Sequence, residues 1–280
     1  MNKVALITGA SDGLGKAMAI SCAKKEMDLL LVALPETGLP ELAEFIEGSF
    51  EVRTHYLELD LTEMENCQFL INYVIEKELP VSFLINNAGI GGSVGFVEEN
   101  FALFDKMILL NVRALTFITH GLIPILEKQE KSYILNVSSM IIHFEGPFKQ
   151  VYGATKSYIY FFSKCLDYEL VGKNIQVSIL CPAGVNSNIK MRLLHNNCSS
   201  FQKLTILSPE EVADYALEKC LAGKREIIPG KFIRFLFFIS KLMPNSLRRY
   251  LTLINNKNLI KSNKIIKEPE PAMESNVEVL

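Results

Sequence analysis

Seven short apolar runs, at residues 3–8, 28–33, 51–58, 81–85, 132–138, 175–181 and 225–228, alternate with longer stretches in which apolar residues recur at helical spacing. Each run suits one strand and is too short for a buried helix. Strands separated by helices cannot pair through hairpins, so they must lie parallel with the helices crossing over both faces of the sheet. The runs are nearly unbroken in apolar character, as expected of strands covered on both sides. The chain is therefore expected to be α/β and doubly wound, with a mostly parallel sheet of about seven strands flanked by helices. At 280 residues, 49% of them hydrophobic, it has the bulk for one large core. The composition shifts only near Lys261, where a Lys, Ser and Asn stretch and then a Glu-Pro repeat replace the apolar pattern. Residues 1–261 are read as a single domain and 262–280 as a flexible tail.

Several function classes are unsupported. With a net charge of -2 and charges scattered through the body, no basic field is offered to nucleic acid. Cys22, Cys67, Cys165, Cys181, Cys198 and Cys220 lie far apart without paired spacing and read as reduced thiols. His55, His120, His143 and His195 are equally dispersed, and no metal site is expected. Only Met-Asn-Lys precedes the apolar residues of the first strand, which leaves no room for a cleavable leader, so a cytoplasmic location is expected.

Two stretches carry chemistry. The first strand runs into Thr8-Gly9-Ala10-Ser11-Asp12-Gly13-Leu14-Gly15, where a helix is expected to open near Gly13. Glycine permits the tight turn and the close approach of backbone to ligand, and the free amides of a helix start favour a pyrophosphate. In the second, Tyr152 and Lys156 stand four residues apart, one face of a helix if the segment is helical, and thirteen residues after Ser139. A phenol is a weak acid, and a nearby ammonium stabilises its anion. Ser139 ends a strand and should present its hydroxyl where a substrate oxygen could sit. Helix starts are read at Thr62-Glu63-Met64-Glu65 and Ser208-Pro209-Glu210-Glu211, each with a hydroxyl to cap the helix and a glutamate to reach back.

The glycine turn with spacing G-x-x-x-G-x-G, the run Asn86-Asn87-Ala88-Gly89, then Asn111, Ser139, and Tyr152 with Lys156 stand in the order seen in the short-chain dehydrogenase/reductase superfamily, which the chain resembles over about residues 3–230. The resemblance implies a Rossmann-type oxidoreductase domain that moves a hydride between a nicotinamide and a ketone or secondary alcohol. Tyr152 would donate the proton, Ser139 orient the carbonyl, Lys156 hold the nicotinamide ribose and lower the tyrosine pKa, and Asn111 support a water relay. Ser138 is set aside because the family pattern places the serine thirteen residues before the tyrosine. The implied cofactor contacts are Thr8, Gly9, Ser11, Asp12, Gly13, Leu14, Gly15, Ala33, Asp60, Leu61, Asn87, Ala88, Gly89, Tyr152, Lys156, Pro182, Gly184, Val185 and Ser187. Bland readings stand beside these: Asn111 as a helix-interior polar residue, Asn86 and Asn87 as turn formers, Asp60 as a solvated strand end. The family usually has glycine directly after Pro182 and threonine at 187, whereas this chain has Ala183 and Ser187.

The expected cofactor is NADP, with NAD as the alternative. An NAD-preferring fold places a carboxylate at the end of the second strand, and this chain has Ala33 there. Against that, Leu34 and Pro35 follow where an arginine is common, and Asp12 stands where NADP-preferring relatives often carry a base. Residues 188–207 take the place of the family's substrate-covering segment, and their apolar content suggests a lipid-like carbonyl substrate. Residues 231–256 form an apolar, aromatic, positively flanked helical extension that could pack, cover the pocket or lie on a membrane surface; its apolar stretch, Phe232–Met243, holds Arg234 and Lys241 and is too short to span a bilayer. The wide apolar content from Tyr158 to Tyr168 leads to the expectation of a homodimer or homotetramer. A cofactor-sensing or scaffold protein on the same fold is the rival reading.

Overall fold

The computed structural model describes residues 3–186 and 205–255. The apolar runs become β1 (Val4–Thr8), β2 (Asp28–Ala33), β3 (Thr54–Glu58), β4 (Val81–Asn86), β5 (Ser132–Val137), β6 (Ile175–Leu180) and β9 (Glu226–Ile227). They form one sheet in the order β3-β2-β1-β4-β5-β6-β9, every neighbouring pair parallel. Two further strands, β7 (Gly184–Val185) and β8 (Ile206–Leu207), pair outside it.

Alternate side chains of each strand serve opposite faces. Ala5 and Ile7 join one core with α1 (Gly13–Ala23), α2 (Leu39–Ser49) and α7 (Pro209–Leu221). Val4 and Leu6 join another with α3 (Met64–Glu76), α5 (Leu115–Leu126) and α6 (Gln150–Glu169). The long apolar helical run from α4 (Phe101–Ile108) through α5 has the length and composition to cross a membrane. Here it covers the sheet, with Ile118, Leu122 and Leu126 in the core. The chain ends, among the described residues, in α8 (Lys231–Leu242) and α9 (Asn245–Asn255).

The two helix starts differ. At α7 the Ser208 hydroxyl accepts from the Glu211 amide and the Glu211 carboxylate accepts from the Ser208 amide, both at 3.1 Å, the expected capping box. At α3 the expectation fails: Glu63 is the cap residue and makes no side-chain cap bond. Thr62 instead gives its amide and hydroxyl to Asp60 Oδ1, at 2.8 and 2.7 Å. The Asp60 carboxylate, accepting from both groups, holds Thr62 in the turn ahead of the helix, one residue short of the cap position.

Candidate active site

The strand order reverses between β1 and β4, and the crevice at such a switch point is where doubly wound sheets bind ligands. Two loops leave the strand ends there, and side chains lock them together. Thr8 Oγ1 accepts from the amides of Asn87 and Ala88 at 3.1 and 3.0 Å, while Asn87 Nδ2 donates to the carbonyls of Thr8 and Gly9, both at 3.0 Å. Gly9 lies at φ 65°, and a Cβ on Gly15 would stand 1.9 Å from the Gly9 oxygen. Only glycine fits at those positions, and the result is a shallow cradle of backbone at the start of α1. Asp12 caps that helix through the Gly13 amide at 2.7 Å. The next first-turn amides, on Leu14 and Gly15, are those a helix start offers to an anion. The cradle fits a dinucleotide pyrophosphate, and Thr8, Gly9, Ser11, Asp12, Gly13, Leu14 and Gly15 would line it.

Around it, the structure places the other residues expected to hold the cofactor. Ala33 is buried at the end of β2, beside Glu58 in the β3 register, and the Glu58 carboxylate accepts from the Glu36 amide at 2.9 Å. Asp60 holds the Thr62 turn with one oxygen, and Leu61 beside it is buried. Ala88 and Gly89 leave β4, and a Cβ on Gly89 would press on Asn111 Oδ1 and Lys156 Nζ at 3.1 and 3.3 Å. The Pro182 carbonyl accepts from the Met140 amide at 2.9 Å, and Gly184 and Val185 pair with Ile206 and Leu207. Ser187 and residues 188–204 of the substrate segment lie outside the described residues, as does the tail.

The four side chains expected to act converge from three elements. Tyr152 and Lys156 share a face of α6, and Lys156 Nζ lies 5.9 Å from the centre of the Tyr152 ring. Ser139 follows β5, caps the short 3-10 turn Met140–Ile142, and bonds the Tyr152 hydroxyl. Ser138 is turned inward, with its hydroxyl donating to the Lys156 carbonyl at 2.8 Å, so it ties α6 to the sheet. Asn111 is fully buried in a π-helical turn, Leu109–Ala114, a distortion that often marks functional positions. Its side chain accepts from the Ile90 amide at 2.9 Å and donates to the Ile90 carbonyl and Thr155 Oγ1 at 2.9 and 3.0 Å. It is thus a clamp between the loop after β4 and α6.

Burial governs the electrostatics. It pushes Lys156 down to about 8, and Nζ donates to the Val137 carbonyl at 2.9 Å. It also raises the Tyr152 phenol, which the Ser139 hydrogen bond partly offsets. The tyrosine is therefore a firmly protonated donor, and Lys156 is not among the causes that lower it.

Three contributors escaped sequence reasoning. Asn86 donates to Thr119 and Asn136 at 3.0 and 2.8 Å, and Asn136 donates to Ser163 at 2.8 Å, a buried polar chain beneath the site. The signal was a lone asparagine inside the apolar run 132–138. Lys149 donates to the Gly92 carbonyl at 2.8 Å with its ammonium 5.2 Å from the Tyr152 ring centre, and the Val94 amide donates to the Phe148 carbonyl at 3.0 Å. These bonds close the 90–94 loop over the tyrosine, where a Cβ on Gly91 would stand 3.1 Å from its ring. Glu58 was visible only through the register.

The short chain dehydrogenase family model matches residues 3–197. Hydroxysteroid dehydrogenase-like protein 1 of Gallus gallus is 27% identical over 224 residues, 79% of this chain and 66% of that protein. Very-long-chain 3-oxoacyl-CoA reductase-A of Danio rerio is 30% identical over 191 residues, 65% of this chain and 58% of its own length. The chain thus spans less than two thirds of these two relatives. A solved short-chain dehydrogenase from Sphingobium yanoikuyae in complex with NADPH superposes with a TM-score of 0.72 at 26% identity, over 96% of this chain and 99% of that one. The chain belongs to the short chain dehydrogenase family.

Proposed function

We propose that this chain is an NADP-dependent oxidoreductase that reduces ketones, and oxidises secondary alcohols in reverse, with an apolar or lipid-like body on the favoured substrate. The observation that carries the reading is the Tyr152–Ser139 hydrogen bond with a buried ammonium beside it. When bound, the nicotinamide supplies or accepts the hydride. Ser139 Oγ holds the carbonyl oxygen, and Tyr152 Oη, already bonded to that serine, gives its proton to the same oxygen as negative charge develops there. Lys156 balances the phenolate left behind, and Asn111 keeps α6 and the 90–94 loop in register so that the groups meet within hydrogen-bond reach.

NADP is the cofactor: Ala33 puts no carboxylate of its own at the end of β2 to repel a 2′-phosphate, the neighbouring Glu58 carboxylate is taken up by the Glu36 amide, and the solved relative holds NADPH. An apolar substrate is supported by the Ile141, Ile142 and Phe144 side chains next to Ser139, partly buried and without charge, and by the relatives' names. A 3-oxoacyl thioester and a steroid-like ketone both satisfy that chemistry. A homodimer or homotetramer is supported by Phe161, Tyr168 and Val171, all well exposed on and just after α6. The test is cofactor consumption with aliphatic, acyl-thioester and polycyclic ketones, using NADPH and NADH in parallel. The reading expects turnover of apolar ketones with NADPH. Binding of both nucleotides with no turnover of any ketone, aldehyde or alcohol would replace it with a cofactor-sensing protein.

A further inference from the structure

Helices α8 and α9 each turn a stripe of large apolar side chains to solvent. On α8, Phe235, Phe238 and Leu242 follow one stripe and are 60, 63 and 72% exposed. On α9, Leu247, Tyr250, Leu251 and Ile254 fall at i, i+3, i+4 and i+7, the spacing of a core-facing stripe, and all four are exposed. On α8 the other side packs on the body through Ile233, Leu236 and Phe237, while α9 is held by polar groups: Arg248 donates to the Ser240 carbonyl of α8 at 2.6 Å, and Thr252 Oγ1 to the Glu145 carbonyl at 3.4 Å. Between Lys231 and Asn255 the sequence carries Lys231, Arg234, Lys241, Arg248 and Arg249 and no acidic residue, within a chain whose net charge is -2.

We propose that α8 and α9 form a docking face for an anionic lipid surface, with the two apolar stripes entering the headgroup boundary and the cations meeting lipid phosphates. Aromatic and aliphatic side chains on one side with lysine and arginine beside them are the chemistry of helices that lie in the plane of a bilayer interface. Charge argues against a second copy as the occupant. A two-fold contact sets a patch against itself, and this one would oppose Lys231, Lys241 and Arg249 with the same three cations of the second copy. The face also adjoins the site. Phe237 stacks on His143, ring centres 4.4 Å apart, and Thr252 reaches Glu145, both in the segment between Ser139 and Tyr152. A docked chain would hold its substrate mouth against lipid. Only that last step rests on the proposed reaction; the docking does not.

The test is flotation of the full chain with vesicles of mixed phosphatidylcholine and phosphatidylserine, compared with phosphatidylcholine alone, using Tyr152→Phe beside the wild type. Both proteins should float with the mixed vesicles, and less so at high salt. Lys231→Gln, Lys241→Gln and Arg249→Gln together should cut binding by about fivefold per cation removed. Phe235→Ser, Phe238→Ser and Leu242→Ser together should abolish it while NADPH still binds, which shows that the variant is folded. Absence of flotation by the full chain would overturn the proposal. So would equal binding by all variants, or a serine variant whose only change is a smaller mass by light scattering. Flotation by a protein that turns over no ketone would leave the docking standing and remove the reductase reading alone.

Discussion

Beneath Tyr152 polar side chains are sealed in the interior, whereas along α8 and α9 large apolar side chains stand in water, and the two regions break the burial rule in opposite directions. The interior polar groups are bonded to one another: Asn86 to Asn136, Asn136 to Ser163, Asn111 to Ile90 and Thr155, and Ser138 to Lys156. Of that chain of bonds only Asn86 Oδ1 lacks a partner. Such a network fixes geometry, because each member left alone in a low dielectric would cost free energy. The exposed stripes fix nothing within the chain and are free to meet something outside it. One region is built for precision and the other for contact, so substitutions should separate them by what they change.

The largest effect is expected at Lys156. Its folded pKa of about 8 lies below its ordinary 10.5, so between those values the unfolded chain binds the extra proton and stability rises with pH. Activity should move the other way, with reduction falling above about pH 8 as the buried ammonium is lost. Lys156→Met should therefore lower kcat/KM by roughly a thousandfold and yet raise stability at neutral pH by about 3 kcal/mol, measured by denaturant unfolding. Asn111→Ala comes next. It strands both backbone groups of Ile90, and a loss of about 2–3 kcal/mol is expected in the same assay.

The two serines sharpen the contrast within the site. Ser139→Ala should cost about a hundredfold in kcat and, through the lost turn cap, about 0.5 kcal/mol of stability, while Ser138→Ala should cost about 1 kcal/mol of stability and little activity. Reversed results would move the polarising role to Ser138. The smallest effect belongs to the other region: Phe238→Ser should change stability by no more than about 0.5 kcal/mol, because its side chain is already in water. A large loss there would mean that the stripe is buried against part of this chain.

The contrast also explains what could be read from the sequence. The sheet was legible because its central runs, 28–33, 81–85, 132–138 and 175–181, are largely apolar on both faces, and the Ser208 cap because its partner lies three residues away. Local patterns report local structure. The expected Thr62 cap failed because Asp60 holds Thr62 in the turn before the helix and Glu63 takes the cap position, a choice that spacing alone does not decide. Asn136, Lys149 and Glu58 gain their meaning from partners 20 or more residues away, which only the fold brings near: Ser163, Gly92 and Glu36. Tyr152, Ser139 and Lys156 were found through their order along the chain. That burial raises the phenol and lowers the ammonium is a property of their enclosure.

The most direct test of the central claim is a single-turnover measurement of NADPH oxidation by a ketone that the wild type reduces, set beside Tyr152→Phe at the same pH. With Tyr152 as proton donor, the variant should bind NADPH as tightly as the wild type and oxidise it roughly a thousandfold or more slowly. Equal rates in the two proteins would contradict the account and place the proton donor elsewhere.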